Sequence, residues 1–544
     1  MSTTGSHSIN CKALLWAFGL LLVLGMQSCS KDEPSAPDPE PEVIDPTPTE
    51  PEEEEETFDG PTYADDYTPL AAWSNRDSWN LANVHDPTVV KQGNYYYMYQ
   101  TDASYGNAHE GNGHFHGRRS KDLVNWEYLG ATMQNAPTWV KGSLNTNRVK
   151  MGLPEIENPS YGYWAPCVRQ VGGVYRMYYS LVVHELIEGD DDCTSWGERP
   201  YIGMMETTDL ASNVWEDKGM VVTAIPDGVE DYYRDDCGDW SSYYKFNGID
   251  PSFIETPEGE QWLIYGSWMT GIAAVQLDPT TGKPFQLETE QDYGIRIAGR
   301  GSPAVNRWQA LEGAEVIYNE DTGYYYLFLA YDELSKAYNT RVARSTSILG
   351  PYVGINGANV SQGAECWPML THPYAFKDHT GWVGFSHCAI FKDDLSGKWY
   401  YASQARLPEG VPGINVSNAV MMGHVRELEW TSDGWPVVAP ERYAAVPETE
   451  ITEADIVGSW QQITMEYQYQ VQQTAQNVTF NADGTLGGAM SGSWSLESAT
   501  KTLMVNGIEC KLLDAWDWEA STRKVTLSYS GLTDLGRPVW AKKN

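Results

Sequence analysis

Three carboxylates stand at the start of strand-like runs: Asp86 in HDPTVV, Asp250 in GIDPSFI, and Glu312, with Glu315 close behind, in LEGAEV. Two further runs open in the same manner on Trp164 in WAPCV and His387 in SHCAIF. Carboxylates in this number suit acid–base work at a glycosidic bond. Inverting hydrolysis needs one protonated carboxylic acid for the leaving oxygen and one ionised carboxylate to activate water on the opposite face, about 6.5–9.5 Å away. A third carboxylate near the acid raises its pKa by like-charge repulsion and keeps it protonated near neutral pH. A single Asp-Pro is also an ordinary way to leave a turn, so the chemistry depends on whether these residues converge.

Convergence follows from an internal repeat. Each of the five runs is a short strand, then a turn with Gly, then an aromatic strand, as in HDPTVVKQGNYYYMYQT from 85 and EGAEVIYNEDTGYYYLFLAY from 312. Aligned on Val89, Val168, Phe253, Val316 and Ile390, the copies lie 63 to 85 residues apart. That spacing holds about four short strands with their loops, the size of a propeller blade. Helical patterns are nearly absent and Gly, Asp and Asn turn clusters are frequent, so the expected body is an all-β, five-bladed β-propeller over 67–443. The first strand of each blade lines the central axis, which brings Asp86, Trp164, Asp250, Glu312 and His387 together. Three carboxylates at one place repel one another and lose solvation, a poor arrangement for stability alone, and the set therefore points to function.

The motifs HDPTVV, WAPCV, GIDPSFI, YGSWMTGI, EGAEVIYNEDTGYYYLFLAYD and HCAIF resemble glycoside hydrolase family 43, specifically its arabinanase branch, over about 79–440. The resemblance implies a five-bladed propeller, Asp86 as general base, Asp250 as pKa modulator and orienter, and a Glu of the fourth blade as general acid. The family's Glu-Gly-Pro or Glu-Ala-Pro pattern falls on Glu312, although Ala314 stands where Pro is usual. Repeat alignment puts Glu312 level with Trp164, and Glu315 in the strand with Thr88, Cys167, Ser252 and Ala389, so Glu312 is taken as the acid and Glu315 as its rival. The resemblance also implies that His387 holds a central hydrated calcium or other ion. A buried His satisfied by a backbone carbonyl is the plainer alternative, since calcium prefers oxygen ligands. No organic cofactor is expected. Trp164 and Trp268 are candidates for stacking on a sugar ring, and both are equally natural as core residues.

A formal charge of −38 argues against nucleic acid as a partner, because that binding relies on Lys and Arg neutralising phosphates. Trp and Tyr far outnumber Phe, 22 and 34 against 11, a bias toward rings that both stack and hydrogen-bond and one that suits carbohydrate. Lys12, the apolar run 13–26 and QSCSKDE resemble a bacterial lipoprotein signal, with residues 1–28 removed and Cys29 lipidated. Residues 29–66 are Pro-rich and acidic, with a Glu run from Glu52 to Glu56, and are expected to be an extended tether. The expected place is the outer membrane, facing outward, with membrane contact only through the lipid and the folded body a monomer. Six Cys remain for the body, with no CxxC pair to support a structural zinc. Residues 452–544 alternate strongly, with NADGT as a hairpin turn, and read as a small C-terminal β-barrel or sandwich.

The resulting expectation is inverting, endo-acting hydrolysis of α-1,5-linked L-arabinan. Its rivals are an exo-acting arabinofuranosidase or xylosidase, with insertions at 103–117 and 184–199 shaping the cleft, and a non-catalytic glycan-binding propeller.

Overall fold

A computed structural model describes residues 58–65, 72–102, 111–150, 152–184, 198–225, 245–300, 308–411 and 421–544. The expected signal, Cys29 and most of the expected tether lie outside the described residues, as do Cys193 and Cys237. So does most of both insertions.

Five antiparallel sheets follow one another along the chain, as the repeat requires. Their innermost strands are Thr88–Gln92, Tyr161–Val171, Ser252–Glu255, Leu311–Asn319 and Val383–Lys392. Each pairs with the aromatic strand that follows it, for example Thr88 with Tyr99 and Gln92 with Tyr95. Backbone bonds from Asn83 to Met421 and from Gly423 to Leu81 join the segment before blade one to blade five. The blades are not uniform. Blade four has three strands in its sheet, and blade three has five. A 13-residue helix, Thr138–Lys150, follows blade one. Its buried side chains are only Val140, Leu144 and Arg148, too narrow an apolar stripe to stand out in a mostly polar stretch.

The C-terminal module is a closed eight-stranded barrel from Gly458–Thr464 to Pro538–Lys543, which decides between the two expected forms. Trp460, Phe480 and Tyr529 pack in its interior. A two-residue parallel ladder, Tyr374–Ala375 with Gln473–Thr474, ties it to the propeller. Phe58–Asp65 corrects the tether expectation: this end of it is docked on the body. Phe58 meets the edge of Trp516, Tyr63 lies 4.9 Å from the Trp518 ring, and Asp65 pairs with Arg442. Two aromatic rings give this segment an apolar anchor that the preceding Glu run lacks. Cys167, Cys366, Cys388 and Cys510 are free and buried.

Candidate active site

One backbone device repeats at the axis. The residue three places before each aligned apolar position has a left-handed backbone: Asp86 (φ 46°), Ala165 (43°), Asp250 (55°), Gly313 (54°) and His387 (51°). Asp tolerates this conformation better than most residues, and Gly takes it freely. In blades two, four and five the kink interrupts strand pairing, between Trp164 and Cys167, Glu312 and Glu315, and Ser386 and Ala389. In blades one and three the ladder starts only after it, at Thr88 and Ser252. The five strand starts are therefore of two kinds, not one. Asp86, Asp250 and His387 occupy the kink itself, whereas Trp164 and Glu312 precede a small residue that does. At Gly313 a Cβ would stand 2.7 Å from Cγ of His387, so the close approach of that ring also requires glycine.

These residues share one cavity of about 500 Å³, lined by Asp86, Trp164, Asp250, Glu312, Tyr338 and His387 among others. Trp268 is not among its lining residues and meets Trp308 edge-on at 5.9 Å. Glu315 is absent from the lining as well. It is buried, pairs with Arg169, and accepts hydrogen bonds from Ser252 Oγ (2.8 Å) and the Ile390 N–H (3.3 Å). It thus links blades two, three and five through blade four and has no path to a ligand in the cavity.

Asp86 is the most heavily bonded of the set. Its Oδ2 accepts from Thr101 Oγ1 (2.7 Å), whose oxygen in turn accepts the Ala165 N–H (2.6 Å). Gln404 brackets it, taking the Asp86 N–H at 2.8 Å and donating to Oδ1 at 3.2 Å. His387 Nδ1 lies 2.9 Å from Oδ1 and His85 Nδ1 3.0 Å from Oδ2. Burial alone would raise this carboxyl, but the two imidazoles outweigh it and hold Asp86 well below the usual carboxylate range. Asp250 has fewer donors, chiefly the Gly313 N–H at 3.2 Å. Burial, with repulsion from Glu312 and Asp86 set against attraction to His387, pushes it up to about 7. Glu312 accepts from Tyr338 Oη (2.5 Å) and Ser267 Oγ (3.1 Å), and burial raises its pKa despite both. Of these three, one carboxylate is kept ionised and two carboxyls are biased toward protonation.

Burial would lower the His387 pKa, but Asp86, Asp250 and Glu312 raise it to about 10. With Nδ1 turned to Asp86, Nε2 is the ring atom left for a proton or a cation. Among the described residues no three His, Cys, Asp or Glu side chains group as a metal-ligand set. One imidazole nitrogen is too few protein ligands for a caged calcium, which takes about six to eight oxygens.

Sequence reasoning missed one wall of the cavity. Asp102 Oδ2 lies 2.6 Å from His114 Nδ1, and Asp102 Oδ1 accepts the Phe115 N–H at 2.9 Å. Burial drives the Asp102 carboxyl well up and the His114 ring down to about 4, which favours a neutral pair sharing one proton over an ion pair. The His114 ring stacks on Tyr163 at 3.4 Å and 9°. Thr101, Tyr338 and Gln404 were missed too. Thr101 alone carried a signal, as the polar end of the aromatic strand facing Asp86.

Comparison with known proteins places this geometry. Residues 81–436 match the model of glycosyl hydrolases family 43. The chain belongs to that family. Residues 440–541 match the family's C-terminal lipocalin-like domain, which corresponds to the closed barrel. The chain is similar to the extracellular endo-alpha-(1->5)-L-arabinanase of Thermotoga petrophila, 26% identical over 85% of this chain and 94% of that one. It is also similar to extracellular endo-alpha-(1->5)-L-arabinanase 2 of Bacillus subtilis, 25% identical over 87% and 96%. The solved structure of the Thermotoga petrophila endo-1,5-alpha-L-arabinanase superposes with a TM-score of 0.65 at 25% identity, covering 85% of this chain and 99% of that chain. Propeller and barrel are therefore shared together across family 43 relatives of this kind.

Proposed function

We propose that the protein hydrolyses α-1,5-linked L-arabinan with inversion, cutting within chains. The observation that carries this is the pairing, in one cavity of a family 43 propeller, of a carboxylate held ionised with a carboxyl biased toward protonation on a separate blade. Asp86 takes a proton from water as that water attacks the anomeric carbon. Glu312 gives its proton to the departing glycosidic oxygen, and Tyr338 and Ser267 hold it in place. Asp250, once ionised, repels negative charge on Glu312 and so favours the protonated acid. Trp164 and the His114–Tyr163 wall offer ring faces for sugar. Trp268, away from the lining, is the weaker of the two Trp assignments.

His387 Nε2 would hold a hydrated cation, calcium or another, in place of a proton. When bound, that cation supplies positive charge among the carboxylates. Metal content of the purified protein, compared with His387→Ala, tests this. Lipid on Cys29 fits the extracellular names of the relatives and is tested by mass spectrometry of the mature N-terminus.

The decisive assay is incubation with linear arabinan, following products by chromatography and the first anomer by NMR. Oligosaccharides released early, with β configuration at the new reducing end, are expected. Arabinose alone would favour the exo-acting rival, and no product under varied pH and calcium would leave only a glycan-binding role. Glu312→Gln should lower turnover by about 10²–10⁴; if Glu315→Gln does so while Glu312→Gln does not, the acid is misassigned.

A further inference from the structure

Barrel segment 465–472 bonds to the blade-four loop that lines the active-site cavity. Tyr467 Oη donates to Asp332 Oδ1 (3.2 Å) and accepts from Gln309 Nε2 (2.9 Å). Its ring also lies against the Arg341 guanidinium, 4.5 Å from the ring centre. Gln470 has a left-handed backbone (φ 60°), and its side chain donates to Glu333 Oε1 at 2.8 Å.

Asp332 and Glu333 begin the loop 332–338, which joins Tyr324–Tyr331 to Asn339–Ser345 in blade four. That loop ends in Tyr338, the donor to Glu312, and contributes Leu334 to the cavity. Asp332 is fully buried, and its Oδ2 accepts from Asn339 Nδ2 at 2.7 Å, pinning the two ends of the loop together. Glu333 organises the interior: its Oε2 accepts the Lys336 N–H (2.9 Å) and the Ser335 hydroxyl. Blade five adds one more hold, from Arg406 Nε to the Ser335 carbonyl at 2.8 Å. Four links thus run from the barrel to the acid: Tyr467 and Gln470, then Asp332 and Glu333, then the loop, then Tyr338 on Glu312.

We propose that Tyr467 and Gln470 are positioning residues for catalysis, through which the C-terminal barrel holds the 332–338 loop and so keeps Tyr338 on Glu312. This rests on Glu312 being the general acid. A misplaced acid slows departure of a poor leaving group such as a sugar alcohol and hardly affects one that leaves without a proton.

The test compares linear arabinan with a 2,4-dinitrophenyl arabinooligoside, using the full chain. Tyr467→Phe and Gln470→Ala together should lower kcat on arabinan about tenfold with KM within twofold, and lower it on the dinitrophenyl substrate less than about twofold. The unfolding midpoint should be unchanged. Gln472→Ala is the control, since Gln472 lies on the same segment but donates to the Tyr374 and Thr380 carbonyls; it should leave both rates alone. Equal losses on both substrates, or no loss, would overturn the inference while leaving the acid in place, provided Glu312→Gln shows the split. If Glu312→Gln shows no split, the acid assignment and the inference fall together.

Discussion

Two clusters among the described residues gather three carboxylates about a central basic side chain, with opposite fates. On the axis, Asp86, Asp250 and Glu312 surround His387. Between propeller and barrel, Glu441, Asp517 and Glu519 surround Lys542, whose Nζ lies 3.0, 2.6 and 3.8 Å from them. The interface cluster is sealed and richly supplied with donors. Glu519 accepts from Tyr374 Oη (2.8 Å) and Trp382 Nε1 (3.1 Å), and Asp517 from the Ala520 N–H (3.0 Å). The void beside Glu441 is about 20 Å³, room for about one water, against about 500 Å³ on the axis. Convergence of carboxylates is therefore not by itself a mark of function. Lys542 and its partners show that such a set can serve as a joint; what distinguishes the axial set is space for a ligand and carboxyls driven in opposite directions.

The largest effect that could break this contrast is on turnover. Asp86→Asn and Glu312→Gln should each lower kcat on arabinan by about 10²–10⁴, with unfolding midpoints near that of the unaltered protein. Glu519→Gln should leave kcat within about twofold. A comparable loss of kcat per folded molecule from Glu519→Gln, measured alongside circular dichroism, would mean the sealed cluster is coupled to catalysis and the distinction fails.

Stability should sort the clusters the other way. Lys542→Met leaves three buried carboxyls with no cation and should cost about 3–5 kcal/mol in urea unfolding. Adding Glu441→Gln should restore part of that loss, because the pair is in contact and its effects are not additive. Full additivity would show that Lys542 acts through packing, its Nζ lying 4.7 Å from the Phe376 ring centre, and not through charge.

These clusters differ also in how far they could be seen in advance. Asp86, Asp250 and Glu312 each sit at the head of a repeated strand motif, so the five-fold echo gave both the propeller and the meeting point. Glu441, Asp517, Glu519 and Lys542 come from the end of the propeller and from scattered barrel positions, and no periodicity joins them. The same limit hid Tyr338 and Asp102, which are set by loop geometry and a cross-strand neighbour instead of a repeat. The kink that separates Glu312 from Asp250 was latent in the Gly and Ala that follow Glu312 and Trp164, but only backbone angles make it one device. Phe58 and Tyr63 were overlooked because the composition of the preceding segment dominated the whole tether.

The smallest and sharpest test uses a feature that both clusters share. Burial and like charge push Glu441, as they push Asp250, up to about 7. A carboxyl whose folded pKa lies above its unfolded value contributes stability that is complete below the unfolded pKa of 4.5 and is lost as pH rises through 7. The unaltered protein should therefore lose on the order of 3 kcal/mol between about pH 4.5 and 8 that Glu441→Gln does not lose. Asp250 adds a slope of the same sign, but its ionisation also places negative charge near Glu312. The alkaline limb of kcat/KM should then move to lower pH in Asp250→Asn, where Glu312 has lost its negative neighbour, and stay put in Glu441→Gln. A shift of that limb in Glu441→Gln would show that the two clusters titrate as one system across the body of the propeller.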